Sequence, residues 1–297
     1  MYDIIVLGAG FAGMSAAIYA ARASKKVLLI EKLAPGGQIL KAHKVENYPG
    51  FKEISGSDLV NSLYNQVKAL DIEYHNEEII EVKHLDDKHI EVKSKTNTYE
   101  GKNLIIATGS RPKKLNLPEE DKYLGKGLSF CAYCDGFFFR NRKVAVYGGG
   151  NTAFNDARYL STVASKTLLI SRRDIYRAEQ ILVDEVKKDP KIELMPGYVI
   201  VALHGDKYLE SLTLQKDDST IDIEVDGLFL AIGEEPDTEL FKGLLAMDEK
   251  GYLLSSDTRT IYPNIFVAGD CRTKEIRQLT TAASDGTMAG IFASRND

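Results

Sequence analysis

Cysteine is scarce in this chain of 297 residues: it occurs three times, and so small and odd a number argues against a secreted scaffold held together by disulfides. No run of about 18 apolar residues occurs, so no membrane-spanning segment is expected. No block of lysine and arginine stands out and the net charge is only −5, so nucleic acid is not expected as a partner. The first residues lack the basic leader and the long apolar core of a signal peptide. Together these absences predict a cytoplasmic protein.

The composition suits a soluble globular protein. Hydrophobic residues make up 44% of the chain and charged residues 27%, which leaves enough apolar surface for sizeable cores. The chain is too long for one small domain and has the length of two compact units. We therefore expect two domains.

One sequence pattern occurs twice and is the most informative feature of the chain. Residues 2–31 contain a predicted buried strand, a glycine-rich turn at 8–13, an alanine-rich helix and a second strand. Residues 144–171 repeat the same order, with the glycine-rich turn at 148–153. Strand, glycine turn, helix and strand form the βαβ unit that binds dinucleotides. Two copies predict an α/β fold with two Rossmann-like, three-layer dinucleotide-binding domains.

The glycine positions have separate physical reasons. The first glycine of each turn, Gly8 or Gly148, permits a tight bend, and the second lets the backbone approach a pyrophosphate. The small third residue, Gly13 or Ala153, lets the helix pack closely on the strand. The start of the helix then offers N–H groups and a partial positive charge to the phosphates.

The two copies differ at the end of the second strand, where the ribose is recognised. Glu31 ends the first copy, and a carboxylate there accepts hydrogen bonds from ribose hydroxyls, which suits an adenosine without a 2′-phosphate, such as that of FAD. The second copy has Ser171 at this point, followed by Arg172, Arg173 and Arg177. Guanidinium groups bind a 2′-phosphate through charge-assisted bonds, so the second copy is predicted to bind NADPH. The alternative is an ordinary solvated basic turn.

Cys131 and Cys134 lie between the two glycine turns with two residues between them. This spacing allows an easily exchanged disulfide and often lowers the pKa of one thiol. A zinc site is the alternative, but it needs two more ligands, and Cys271 is remote and the five histidines form no ligand-spaced set. We therefore predict a redox pair and no metal, and assign Cys271 a structural role.

In its motifs and their order the chain resembles the low-molecular-weight thioredoxin reductases, over essentially its whole length. The Cys-Ala-x-Cys-Asp-Gly segment that begins at Cys131 is the most specific of these motifs. The segments that carry the resemblance are 8–13, 36–38, 47–50, 107–109, 131–138, 148–153, 172–177, 266–270 and 277–286.

The resemblance implies a discontinuous FAD domain, residues 1–113 and 243–297, into which an NADPH domain with the redox pair, residues 114–242, is inserted. It also implies a homodimer whose protein substrate is thioredoxin. A glutaredoxin-like or peroxidase-linked carrier remains a possible partner.

The implied reaction is that of a thioredoxin-disulfide reductase. Hydride passes from NADPH to FAD, the electrons reduce the Cys131–Cys134 disulfide, and the dithiol exchanges with oxidised thioredoxin. In this family pattern Cys131 is the outward nucleophile, Cys134 faces the flavin, and Asp135 relays a proton to the leaving thiolate. The alternative role for Asp135 is to shape the turn before Gly136.

The expected cofactor contacts fall into two sets. The residues expected to contact FAD are Gly8, Gly10, Phe11, Ala12, Gly13, Glu31, Lys32, Gly36, Gly37, Gln38, Asn47, Ala107, Thr108, Gly109, Gly269, Asp270, Arg277, Gln278 and Leu279. Those expected to contact NADPH are Gly148, Gly149, Gly150, Asn151, Thr152, Arg172, Arg173, Arg177, Ile232 and Gly233.

Two departures from the family pattern and three other functions are left open. Ser171 stands where the family usually has histidine, and Asn155-Asp156 stands where it usually has an acidic pair.

The first alternative function is a ferredoxin-dependent or otherwise NADPH-independent flavin thioredoxin reductase of the same fold. The second is a flavin-bound redox sensor or regulatory binding protein without turnover. The third is a flavin ferredoxin–NADP reductase type, against which Cys131 and Cys134 count directly.

Overall fold

The computed structural model describes residues 1–42 and 45–296. The chain forms two compact units, Met1–Arg111 with Glu235–Asp297 and Pro112–Glu234. The α/β class and the insertion of the second unit into a discontinuous first unit were both predicted from the sequence. Within the described residues no helix combines the length and the apolar character that crossing a membrane requires.

The divisions between the units differ from the predicted boundaries after residues 113 and 242. Lys113 already pairs with the second unit, since its N–H donates to the Gly233 carbonyl at 3.0 Å. Leu240 and Phe241 belong to the core of the first unit, where Phe241 is fully buried. The chain therefore returns to the first unit at residue 235.

The first unit is built on a sheet of seven strands. Its strands are β1 (Tyr2–Leu7), β2 (Val27–Glu31), β3 (Ile72–Asn76), β4 (Ile79–Asp86), β5 (His89–Ser94), β6 (Thr98–Ile106) and, much later in the chain, β17 (Ile265–Val267). The order is β3-β2-β1-β6-β5-β4, with β17 beside β6. Strands β3, β2, β1, β6 and β17 run parallel, whereas β5 and β4 are antiparallel additions.

Two cores cover the two faces of this sheet, because the side chains of β1 alternate between them. Ile4 and Val6 pack toward α1 (Phe11–Arg22) and α7 (Leu279–Arg295), while Ile5 and Leu7 pack on the opposite face. Helices α1 and α7 approach closely, and a Cβ on Gly286 would lie 2.0 Å from the Ala12 carbonyl oxygen. A further helix, α2 (Gly56–Lys68), packs on α1.

The second unit combines a parallel sheet with a small antiparallel one. The parallel sheet has the order β11-β10-β9-β15-β8 and consists of β8 (Leu128–Ser129), β9 (Lys143–Tyr147), β10 (Lys166–Ser171), β11 (Ile192–Pro196) and β15 (Gly227–Leu230). The antiparallel sheet consists of β12 (Val199–His204), β13 (Ser211–Lys216) and β14 (Ser219–Glu224). The helices are α3 (Glu120–Tyr123), α4 (Ala132–Asp135), α5 (Asn151–Val163) and α6 (Gln180–Lys188).

The second unit is also three layers thick. Val144 and Val146 of β9 face the core formed with α5 and α6, and Ala145 and Tyr147 face the core formed with the antiparallel sheet. Two short strands, β7 (Ser110–Pro112) and β16 (Glu234–Pro236), pair where the chain enters and leaves this unit.

Candidate dinucleotide sites and redox disulfide

The first glycine turn connects β1 to α1. A Cβ on Gly8 would lie 2.3 Å from the Ala107 carbonyl oxygen, and one on Gly13 would lie 1.7 Å from the Gly8 carbonyl oxygen, so both positions exclude a side chain. A Cβ on Gly10 would meet no described atom within 4 Å. Helix α1 starts at Phe11 without an acidic residue in its first turn. The open space at Gly10 and the N–H groups that start α1 fit a pyrophosphate.

Glu31 lies beside this turn at the end of β2. Its two carboxylate oxygens accept hydrogen bonds from Ala9 N at 2.8 Å and Leu33 N at 2.9 Å. These bonds fix the carboxylate, and each oxygen keeps lone pairs for a ribose hydroxyl. The neighbouring Lys32 forms an ion pair with Asp237.

The predicted loop at residues 36–38 closes over the glycine turn. Gly36 N donates to the Ala9 carbonyl at 2.7 Å, and a Cβ on Gly37 would lie 3.6 Å from Gly10 Cα. Gly36 and Gly37 have φ values of 127° and 68°, which favour glycine. Gln38 donates to the Ser110 carbonyl.

The carboxyl ends of three parallel strands meet at this edge of the sheet. Leu7, Ile106 and Val267 are in register at the ends of β1, β6 and β17. The segments that follow these strands contain Gly8, the predicted residues Ala107, Thr108 and Gly109, and the predicted Gly269 and Asp270. Ligands of open parallel sheets bind outside such an edge.

The predicted residues around the start of α7 also meet. Gln278 caps α7, and its side-chain oxygen lies 3.3 Å from Asn47 Nδ2. The Arg277 guanidinium packs over the Tyr252 ring at 4.1 Å, and Leu279 packs in the small core that contains Phe11.

Asp285 was not predicted from the sequence, and it holds the segment that follows β17 in place. It is buried, it accepts bonds from Gly269 N at 3.0 Å and Lys274 Nζ at 3.0 Å, and it forms a bidentate pair with Arg272 at 2.7 and 2.8 Å. Burial alone would raise the pKa of Asp285, but Arg272 and Lys274 outweigh it and hold the pKa below its usual value. Lys274 Nζ also lies 3.7 Å from the Asp270 carboxylate. The only sequence signal for Asp285 was its place in the segment 277–286.

The second glycine turn connects β9 to α5. A Cβ on Gly148 would lie 2.4 Å from the Ala231 carbonyl oxygen, whereas one on Gly150 would meet no described atom within 4 Å. Helix α5 begins at Asn151 and has no acid in its first turn. This open cradle fits a second pyrophosphate, with Gly149 and the exposed Thr152 at its rim. Ile232 and Gly233 follow β15 at the same edge of the sheet.

The arginine segment lies beside this second turn. Arg177 N donates to the Gly149 carbonyl at 2.7 Å, and the buried Ser171 hydroxyl donates to the Arg173 carbonyl at 2.9 Å. Arg172, Arg173 and Arg177 are exposed, and none of them forms an ion pair with a residue that the structure describes. Three uncompensated guanidinium groups near a pyrophosphate cradle can bind a phosphate.

A side-chain lock, the pair of hydrogen bonds between Asn151 and Glu179, lies beside the second turn and was not predicted from the sequence. Asn151 donates to the Glu179 carboxylate at 2.9 Å and accepts from Glu179 N at 2.8 Å. Glu179 precedes α6, so the lock ties the start of α5 to the start of α6. The predicted residue Asn151 therefore also has a structural role.

Cys131 and Cys134 form a disulfide at the start of the short helix α4. Cys134 is exposed and Cys131 is half-buried. Cys134 N lies 3.2 Å from Cys131 Sγ, so a backbone N–H is aimed at that sulfur. Asp135 is the next residue, and its carboxylate accepts a hydrogen bond from the Ser129 hydroxyl at 2.6 Å. Ser129 was not predicted from the sequence.

The third cysteine is a packed thiol. Cys271 is fully buried, and burial is the main cause that raises its pKa to about 11. Its sulfur lies 3.3 Å from the Ala268 carbonyl oxygen. Among the residues at 1–42 and 45–296 no group of three or more His, Cys, Asp and Glu could hold a metal ion.

Fold and site together are those of a class of oxidoreductases that have two Rossmann-like units and a Cys-x-x-Cys disulfide. Comparison with known proteins agrees. The sequence profile described as "Pyridine nucleotide-disulphide oxidoreductase" matches residues 2–286, and the chain belongs to this family. It is an oxidoreductase, and membership of the family implies a flavin and a nicotinamide cofactor.

Similar proteins cover the whole chain. It is 41% identical over 302 positions to a thioredoxin reductase of Listeria innocua serovar 6a, covering 99% of this chain and 93% of the relative. It is also 41% identical to a thioredoxin reductase of Coxiella burnetii, covering 99% and 96%. The crystal structure of thioredoxin reductase from Streptococcus pyogenes MGAS5005 superposes with a TM-score of 0.95 at 36% identity, covering 100% of this chain and 98% of that one.

Proposed function

We propose that the protein is an NADPH-dependent thioredoxin reductase. FAD would occupy the first unit, NADPH the second, and the Cys131–Cys134 disulfide would exchange with oxidised thioredoxin. The observation that carries the proposal is a surface disulfide on a unit that also has its own open glycine turn. Support also comes from full-length similarity to proteins named thioredoxin reductase.

In the first unit, the chain's own groups would hold FAD at several points. The N–H groups at the start of α1 would bind the pyrophosphate, and Glu31 would accept hydrogen bonds from the adenosine ribose. Asp270 would bind the ribityl chain, and the loops with Gln38, Asn47 and Arg277 would border the flavin ring. A bound flavin supplies two-electron transfer between the nicotinamide and the disulfide.

In the second unit, the start of α5 would bind the NADPH pyrophosphate. Arg172, Arg173 and Arg177 would bind the 2′-phosphate, which is the feature that separates NADPH from NADH. Ser171 would take no direct part in binding: its hydroxyl holds the Arg173 carbonyl and thereby shapes the arginine turn.

At the disulfide, Cys131 would be the nucleophile toward thioredoxin, Cys134 its resolving partner and Asp135 the proton relay. The N–H of Cys134 that points at Cys131 Sγ supports this assignment, because a hydrogen bond to a sulfur favours its thiolate form. By the family resemblance we also propose a homodimer, which a measurement of the solution mass would test.

The test is an anaerobic titration of the yellow holoprotein with NADPH, followed by oxidised thioredoxin. NADPH should bleach the flavin absorbance, and thioredoxin should restore it with one disulfide reduced for each NADPH consumed. The variant Cys131→Ser is the control: bleaching should persist while thioredoxin turnover disappears. A flavin that NADPH leaves oxidised, but that reduced ferredoxin bleaches, would replace this proposal with the NADPH-independent alternative.

A further inference from the structure

Ser129 is a buried hydroxyl directly next to the redox disulfide. It is the last residue of β8, the edge strand of the parallel sheet, where it is in register with Phe229 of β15. Only 5% of its surface is exposed. The sheet, rather than a loop, therefore fixes the position of this hydroxyl.

The hydroxyl bonds to both ends of the redox segment. Ser129 Oγ lies 2.6 Å from Asp135 Oδ2 and accepts a hydrogen bond from Cys131 N at 3.0 Å. The Cys131 carbonyl oxygen is a more distant alternative acceptor at 3.4 Å. A hydroxyl has one proton to donate, and the nearer, ionisable carboxylate is the stronger acceptor. Ser129 thus donates to Asp135 while it accepts from the first cysteine.

We propose that Ser129 is a positioning residue for disulfide exchange: it fixes the Asp135 carboxylate relative to the sulfur pair while the pair changes between disulfide and dithiol. The inference rests on the proposed function in one respect, the role of Asp135 as proton relay. It adds a residue that holds this relay in place.

The exchange can be written with every proton and electron placed. The Cys131 thiolate attacks one sulfur of the partner's disulfide, which breaks that bond and releases the partner's other sulfur as a thiolate. Cys134 gives its proton to Asp135 and attacks Cys131 Sγ, which breaks the mixed disulfide. The released partner thiolates take up one proton from Asp135 and one from water, the latter replacing the proton that Cys131 gave to water when it ionised, so the partner gains two electrons and this chain loses two. Ser129 gains and loses nothing.

A matched control is available in the same unit. Ser161 is also 5% exposed, and its hydroxyl donates to the Arg158 carbonyl at 2.8 Å within α5. Ser161→Ala therefore removes an equally buried hydroxyl that does not bond to the redox segment.

The experiment needs neither NADPH nor thioredoxin, so its failure is distinguishable from failure of the proposed function. Holoprotein is reduced with dithiothreitol, freed of reductant and mixed in a stopped-flow instrument with a small symmetric aromatic disulfide, from about pH 5 to about pH 9. The release of the second equivalent of aromatic thiol reports the attack by Cys134. The variants are Ser129→Ala, Ser129→Thr, Ser161→Ala, Asp135→Asn and the double variant Ser129→Ala/Asp135→Asn.

Ser129→Ala should slow the second release about tenfold, the effect of losing one hydrogen bond to a charged group. Its rate profile should move to higher pH, because the carboxylate loses a donor that favours its ionised form. Ser129→Thr should keep the wild-type profile, Ser161→Ala should behave as wild type, and the serine change should have no further effect when Asp135 is Asn.

A Ser129→Ala rate within about twofold of wild type would overturn the proposal. So would an equal slowing in the Asp135→Asn background, because Ser129 would then act independently of the carboxylate. If Ser129→Ala fails to fold, Ser129→Thr and Ser129→Val, which share one shape and differ in the hydroxyl, decide the question by the same measurement.

Discussion

Individual residues set the difference between the two glycine turns. The Glu31 carboxylate accepts hydrogen bonds from Ala9 N and Leu33 N and is thereby fixed beside the first glycine turn. At the corresponding position Ser171 holds a backbone carbonyl of the arginine turn. A missing carboxylate and three exposed guanidinium groups therefore occur together in the second unit, which favours a phosphorylated ribose there.

Replacement of both Arg172 and Arg177 with Ala should raise the KM for NADPH about a hundredfold, since each charge-assisted contact contributes about 1.5–3 kcal/mol. The KM for NADH should change much less, because NADH lacks the 2′-phosphate. Steady-state kinetics with both cofactors measures the two effects. Arg158→Ala is the control, since that arginine pairs with Glu185 on the surface. Equal losses for both cofactors would contradict the role of the arginine pair.

The sequence predicted residues that belong to a known motif and missed residues whose contacts depend on how the elements are placed in the fold. The glycines of both turns and Glu31 follow from the spacing of one βαβ unit. Glu179 meets Asn151, which is 28 positions away, only because α5 and α6 start at the same edge, whereas Ser129 lies six positions before Asp135 and meets it because β8 ends where the redox helix begins. No periodicity within either segment indicates those contacts.

Among the elements, helix α7 depends on a buried ionic cluster for its attachment to the segment after β17. Asp285 of α7 is held by Arg272 and Lys274. The lowered pKa of Asp285 means that its contribution to stability is present above its unfolded value of about 3.8 and is lost as pH falls through the lower folded value.

Asp285→Asn should therefore lower the free energy of unfolding by about 3–5 kcal/mol at neutral pH, the effect of breaking a buried pair. The difference from wild type should shrink as pH falls below the unfolded value of about 3.8 toward the lower folded pKa, because the wild-type carboxyl then takes up a proton. Urea unfolding of the holoprotein at several pH values measures both quantities. Asp71→Asn, on the surface of the same unit, should have little effect at any pH. A difference that is independent of pH would refute the ionic account.

Helix α5 carries a buried acid, Asp156, whose pKa is shifted in the opposite direction to that of Asp285. Burial raises the pKa of Asp156 to about 7. The folded state then keeps a proton that the unfolded chain releases, so stability decreases as pH rises from about 4 to about 7 and changes no further above that range.

Asp156→Asn should remove this penalty. We expect it to be more stable than wild type by about 2–4 kcal/mol at pH 8 and about equal at pH 4, because one pKa unit corresponds to about 1.4 kcal/mol. Urea unfolding across this range is the measurement, and Asp184→Asn on the exposed side of α6 is the control. A wild-type stability that does not decrease between these pH values would show that Asp156 is ionised when folded.

Element types were easier to predict than the boundaries between units. Buried apolar runs that end in glycine turns identified β1, β9 and the parallel sheets, since these strands are covered on both faces. The return of the chain at residue 235 was predicted too late. Residues 235–242 contain polar and charged side chains around Leu240 and Phe241, and only the tertiary core reveals that these two belong to the first unit.

In the molecule as a whole, the second unit is one continuous segment, whereas the first unit is assembled from both ends of the chain. The cores of the second unit use only residues between 112 and 234. The cores of the first unit combine β1, β2 and α1 with Phe241, Leu253, Phe266 and Ala289 from the later segment.

Residues 112–234 expressed alone should therefore unfold cooperatively in urea, as followed by circular dichroism, whereas residues 1–111 alone should not. A fusion of residues 1–111 to 235–297 through a short glycine linker should restore cooperative unfolding. A short linker suffices because β7 and β16, at the two cut points, are paired neighbours. Independent folding of residues 1–111 would contradict the dependence of the first unit on its C-terminal part.

The late position of β17 and α7 has a consequence during synthesis on the ribosome. The apolar surfaces of β6 and α1 that these elements cover stay open while residues 112–265 are translated, which takes on the order of ten seconds. In that interval the nascent N-terminal segment exposes these apolar surfaces, while the inserted unit, whose cores use no later residue, can already fold. In a chain that stalls before β17, the second unit with Cys131 and Cys134 would be complete, whereas the sheet of the first unit would lack its last strand.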